Sequence, residues 1–156
     1  MDNDFIVIDG KRIGNDHRPY VIAEMSANHN GRIETAFDLI SAAKKADANA
    51  VKLQTYKPDT ITLHCDTEEF RISGGLWDGR TLYDLYQEAH MPWEWHAPLF
   101  DHAKELDITI FSSPFDNTAV DLLEDLNAPA YKIASFEAID LPLIKYVAST
   151  GKPLII

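Results

Sequence analysis

The chain is short of several things, and each shortage narrows its reading. Only one cysteine, Cys65, occurs in 156 residues, so no internal disulfide can form. That suits a reducing compartment, and Cys65, with no supporting motif, reads as structural or incidental. Basic residues are outnumbered, 14 Lys and Arg against 25 Asp and Glu, for a net charge of −11. The clustered cations needed to hold nucleic-acid phosphates or an anionic membrane are missing. No apolar run approaches the roughly 20 residues of a spanning helix. The start, M-D-N-D-F-I-V-I-D-G, is acidic with a four-residue apolar run and does not read as a signal peptide. A cytoplasmic protein without nucleic-acid or membrane partners is expected. Heptads, low-complexity tracts and Gly/Ser linkers are also missing, while 46% hydrophobic content is enough for one domain with a real core.

What is present centres on A-Y-K-I-A-S-F-E-A, residues 130–138. Tyr131, Ile133 and Phe136 favour a strand, yet Lys132 sits among them and Ser135 and Glu137 follow. A lysine in a buried strand is costly unless an anion neutralises it. A glutamate just past the strand end is placed for proton transfer. The same shape, an apolar run turning polar at its C-terminal end, recurs upstream in I-A-E-M-S-A-N-H-N-G, V-K-L-Q-T-Y and I-F-S-S-P-F-D. These four stretches read as neighbouring parallel strands whose exits share one site.

In chain order, Phe5–Ile8 with Gly10 and Gly14 predicts a short N-terminal hairpin, a candidate plug for one end of a barrel. Strands are expected over 20–25, 50–55, 108–113, 130–135 and, beginning, 152–156. Helical spacing fills the intervals at Ile33–Ala43, Leu82–Ala89, Pro92–Ala103, a segment capped by Asn117 or Thr118, and Leu141–Val147. Residues 56–79 are irregular. Asn28-His29-Asn30-Gly31 reads as a turn, with Gly31 suited to positive φ. Alternation puts Glu24 with Ile22, and Lys52 with Gln54, facing inward, while Val51 and Leu53 face outward. For Lys132, Ser135 and Glu137 to meet, the chain must bulge or leave strand geometry near Ser135.

Strand–helix alternation with polar residues at successive C-terminal strand ends favours an α/β fold of the (β/α)8 TIM-barrel type over an open sheet. A closed barrel takes eight strands and ~250 residues. A barrel truncated to about its first five strands is therefore expected, with residues 1–18 as the hairpin and 19–156 as a partial barrel domain. Taken alone, Lys52 and Lys132, with Ser112 and Ser113 between them, suit a phosphate or carboxylate. Glu24 and Glu137 would add acid/base capacity. A Schiff-base role for Lys132 is the alternative; a shared anion site is preferred because neither lysine then has to be neutral. Structural pairing of each lysine with a carboxylate stays open. The Tyr/Trp-rich stretch 82–96 reads more readily as core than as a sugar-stacking surface.

Residues 22–31, V-K-L-Q-T-Y (51–56), S-S-P-F-D (112–116) and Y-K-I-A-S-F-E (131–137) together resemble the N-terminal half of the sialic acid (N-acetylneuraminate) synthase family. L-Y-D-L-Y-Q-E-A-H-M-P-W-E-W-H (82–96) and Ala134-Ser135-Phe136 resemble its pseudaminic acid synthase branch. The resemblance implies condensation of phosphoenolpyruvate with an N-acylated amino sugar, giving a nine-carbon 2-keto acid and phosphate. It implies that Lys52, Gln54, Ser112, Ser113, Lys132 and Ser135 line the substrate site, with Glu24 and Glu137 as catalytic carboxylates. It also implies a divalent metal, Mn2+ or Mg2+, held by histidines of later strands, and a homodimer of the full-length protein. His17, His29, His64, His90, His96 and His102 show no ligand spacing on one element. His29, near a strand exit, is the best local candidate, although a turn-forming role suits it better. The 156-residue chain alone is expected to be inactive. The alternatives are a non-catalytic half-barrel that binds an anion or self-associates, and another phosphoenolpyruvate-using keto-deoxy sugar acid synthase.

Overall fold

Short apolar runs alternating with amphipathic segments fold into a half-barrel in the computed structural model, which describes residues 4–156. Its sheet comprises β3 (Ile22–Glu24), β4 (Ala50–Thr55), β5 (Thr109–Pro114), β6 (Tyr131–Lys132) and β7 (Leu154–Ile155). The strands are parallel and lie side by side in chain order. This unreversed order is that of a barrel wall; a doubly wound sheet would reverse at a switch point. Helices α1 (Ile33–Lys45), α4 (His96–Glu105), α5 (Asn117–Asp125) and α6 (Leu141–Ser149) fill the crossovers. The β4–α4 connection also carries α2 (Pro58–Ile61), α3 (Leu82–Ala89) and a single bridge, Arg71 to Thr81.

Strand alternation divides the apolar residues between two cores. Val51, Leu53, Ile110, Tyr131 and Ile133 face the helices and pack with Ile40, Leu99, Leu123 and Val147. Ala50, Phe111 and Ala130 face the barrel interior, where Ile8 of the hairpin covers them. The hairpin pairs β1 (Phe5–Ile8) with β2 (Lys11–Gly14) through a two-residue loop, Asp9-Gly10. Both loop residues have positive φ, 48° and 75°, the type I′ requirement that Asp-Gly meets. Thr109 at the start of β5 donates to Asp9 Oδ2 at 2.8 Å, so the hairpin plugs the N-terminal end of the strands. Of the expected hairpin segment, residues 1–3 lie outside the described residues.

Three expectations about local structure need correction. Strand β6 has two residues where six were expected, because the chain turns at Ser135-Phe136 and coils into a short 3-10 turn, Glu137–Ile139. Asp116 caps α5, rather than Asn117 or Thr118: its carboxylate accepts from the N–H groups of Thr118 and Ala119 at 3.1 and 3.2 Å. Pro92 precedes a 3-10 turn, Trp93–Trp95, so α4 starts only at His96. Among the described residues no helix is long and apolar enough to cross a membrane.

Candidate active site

Parallel register brings polar residues of separate segments to one end of the sheet. Glu24 stands beside Lys52, and Gln54 beside Ser113. Because Ser112 pairs with Tyr131, Ser113 is brought beside Lys132 on the next strand. Lys52 is almost fully buried. Its Nζ meets Glu24 Oε2 at 2.5 Å and donates to Ser113 Oγ at 3.4 Å. The Lys52 side chain is 10% exposed and that of Glu24 47%, so the carboxylate forms the solvent side of the pair. Gln54 Oε1 accepts from Ser26 Oγ at 3.3 Å, and Ser26 itself holds a positive φ of 50°. One lysine therefore has the carboxylate partner that a purely structural role would give it, and it also reaches a serine on the next strand.

Lys132 differs. It is half-buried, and among the described residues it makes no ion pair or side-chain hydrogen bond within the usual limits. Behind it, Tyr131 donates to Glu124, whose carboxylate also meets Lys152 Nζ at 2.6 Å, tying α5 to the strand. Glu137 follows at the start of the 3-10 turn, as the chain leaves strand geometry. Its Oε2 is buried and has no partner among the described residues. Burial pushes its carboxyl above the ordinary range while the nearby Lys132 charge pulls it back down. A carboxyl so placed can exchange a proton beside a bound anion. Ser135, in the turn between them, is exposed.

Ser112 is not in this group. Period-two alternation turns it to the helix side, where its Oγ lies 2.7 Å from Thr55 Oγ1. Thr55 Oγ1 is in turn 2.9 Å from His96 Nε2. Thr55 and His96 were missed in the sequence. The available signal was parity, since Thr55 shares a face with Val51 and Leu53.

Of the other histidines, His29, His90 and His102 each hydrogen-bond to a nearby group, while His29 Nε2 is buried with no partner among the described residues. His29 is buried, its Nδ1 accepts from Gly31 N–H at 3.2 Å, and burial pushes its pKa down. Gly31 has the positive φ expected of it, 68°, so His29 closes the turn. His102 meets Ser41 at 3.1 Å and His90 the Gln87 carbonyl at 2.8 Å. Among the described residues no three His, Cys, Asp or Glu side chains come together as metal ligands. The aromatic stretch offers little open face: Lys57 Nζ sits 4.0 Å above the Trp93 ring, and Trp95 meets His29 edge-on. A cavity of about 680 Å³ lies at the other end of the strands, between the hairpin loop at Asp9 and the helix ends at Asp107 and Asn127. It is remote from the polar cluster.

Comparison with known proteins agrees with this architecture. The NeuB family model matches residues 39–156. The pseudaminic acid synthase of Helicobacter pylori is 52% identical over 138 residues, 88% of this chain and 41% of that protein. The crystal structure of N-acetylneuraminic acid synthetase from Leptospira borgpetersenii superposes with a TM-score of 0.81 over 96% of this chain and 48% of its own. At 24% identity that likeness bears on the fold. The Bacillus subtilis spore coat polysaccharide biosynthesis protein SpsE superposes at 0.75, with 35% identity over 96% of this chain and 38% of its own. The chain spans less than half the length of the relatives it matches.

Proposed function

The chain belongs to the NeuB family, and on that premise we propose that it carries the phosphoenolpyruvate-binding part of a nonulosonic acid synthase of the pseudaminic branch. Identity of 52% and 49% to proteins named pseudaminic acid synthase supports the branch. In this reading the enol carbon of phosphoenolpyruvate attacks the open-chain aldehyde of an N-acylated amino sugar. Water then adds at the former enol C2, and the tetrahedral intermediate expels phosphate. Lys52, Ser113, Lys132 and Ser135 hold the phosphate and carboxylate, and Gln54 lines the same face. Glu24 orients Lys52 and faces the sugar, and Glu137 moves the proton. Ser112, which faces the helices, takes no part in contacting substrate.

The observation that carries the reading is Lys132, a half-buried cation that makes no close ion pair among the described residues, on the strand next to Ser113 and two strands from Lys52. An ammonium without a close partner is available to an anionic ligand, which it can hold by a charge-assisted hydrogen bond. Titration of phosphoenolpyruvate into the chain tests it. Lys132→Ala should lose about 10- to 100-fold in affinity, the usual worth of a charge-assisted hydrogen bond. Unchanged affinity would refute the assignment.

The reading extends to a Mn2+ or Mg2+ ion and a homodimer in the cytoplasm for the whole protein. The described residues alone do not fit a metal, since no ligand trio converges among them. We expect the 156-residue chain to bind phosphoenolpyruvate without turnover. Sugar-dependent phosphate release from it would overturn that.

A further inference from the structure

Behind the polar cluster, on the helix face of the same two strands, lies the chain of contacts from Ser112 through Thr55 to His96. All three residues are fully buried. His96 Nδ1 lies 3.3 and 3.2 Å from the carbonyls of Pro92 and Trp93, which can only accept. Nδ1 therefore carries the proton. Burial pushes the imidazole pKa down, so the ring is neutral and Nε2 is an acceptor. Thr55 must then donate to Nε2, and its oxygen accepts from Ser112. The direction of every bond follows from one end.

Its location gives this chain a task. Thr55 stands opposite Pro114 at the C-terminal end of the β4–β5 ladder. The Thr55–Ser112 hydroxyl contact links the two strand ends through their side chains, beside the last pairs of the ladder. Thr55 directly follows Gln54, and Ser112 directly precedes Ser113, the serine that Lys52 reaches. A shift of either strand end moves those side chains on the opposite face.

We propose that His96 is a positioning residue for the anion site, locking the ends of β4 and β5 from behind through Thr55 and Ser112. The inference rests on the reading that Lys52 and Ser113 bind phosphoenolpyruvate. Its distinctive consequence is that removing a hydroxyl which never touches ligand weakens binding in the folded protein.

The experiment is calorimetric titration of phosphoenolpyruvate into wild type, Thr55→Val, Thr55→Ser, Ser112→Ala, His96→Gln and the Thr55→Val/Ser112→Ala double variant, with thermal midpoints alongside. Thr55→Val, Ser112→Ala and His96→Gln should each weaken binding about fivefold, the scale of one lost hydrogen bond. The double variant should lose little more than either single, since both break one chain. Thr55→Ser, which keeps the hydroxyl, should bind within about twofold of wild type. Long-range 1H–15N spectra should show His96 protonated at Nδ1 only. Lowered midpoints with unchanged affinity would mean a merely structural role and overturn the proposal, as would fully additive losses. Should Thr55→Val fail to fold, Ser112→Ala carries the same test. A wild-type chain that does not bind overturns the functional reading and this inference together, whereas equal binding by wild type and variants overturns this inference alone.

Discussion

Glu137 and Lys132 show how position decides the chemistry of ordinary side chains. A carboxyl with one oxygen buried and unpartnered holds its proton more tightly in the folded chain than in the unfolded one. Protonation therefore favours folding. The stability this group contributes is present at low pH and is lost as pH rises through its raised folded value, above the ordinary 4.5. Glu137→Gln removes the penalty of ionisation. Its stability relative to wild type should be flat in acid and improve as pH rises beyond about 4.5, as read from urea midpoints across pH. A difference independent of pH would show that Glu137 titrates normally. Lys52 presents the opposite case: its charge is already balanced by Glu24, so its pairing alone reveals no ligand.

At the scale of elements, the starts of α5 and α6 are set by single residues. Asp116 satisfies two of the free N–H groups of α5 and accepts from Thr118 Oγ1 at 2.7 Å. Asp116→Ala should cost about 1 kcal/mol, the usual worth of such a cap. Equilibrium urea denaturation would show a lower midpoint with an unchanged slope, and no shift at all would mean that water replaces the cap. Asp140 does the same for α6, accepting from Leu143 N–H at 3.0 Å. The order and identity of these elements were legible in the sequence because 3.6-residue and two-residue periodicities are local. Boundaries were less so: β6 has two residues because the chain turns at Ser135-Phe136, a departure from strand geometry expected near Ser135 but whose start no propensity fixed.

For the molecule as a whole, the sheet leaves β3 and β7 with one unpaired side each among the described residues. Phe136, Ile139 and Leu141, 84%, 87% and 62% exposed, lie close together in the chain between β6 and the body of α6. Unpaired strand edges and contiguous apolar surface both promote association. Sedimentation velocity should therefore show dimers or larger species at concentrations on the order of tens of micromolar, reduced by a paired Ile139→Lys and Leu141→Lys change. A strict monomer would count against the edge acting this way. By itself the sequence determined the strand–helix order, the inward parity of Lys52 and Gln54, and the family, because each is written in spacing along one stretch of chain. Only the tertiary structure decided that Glu24 pairs with Lys52, that Lys132 makes no close ion pair among the described residues, and that Ser112 joins Thr55 and His96 on the far face. Those are facts of register between strands tens of residues apart, and no local pattern encodes them.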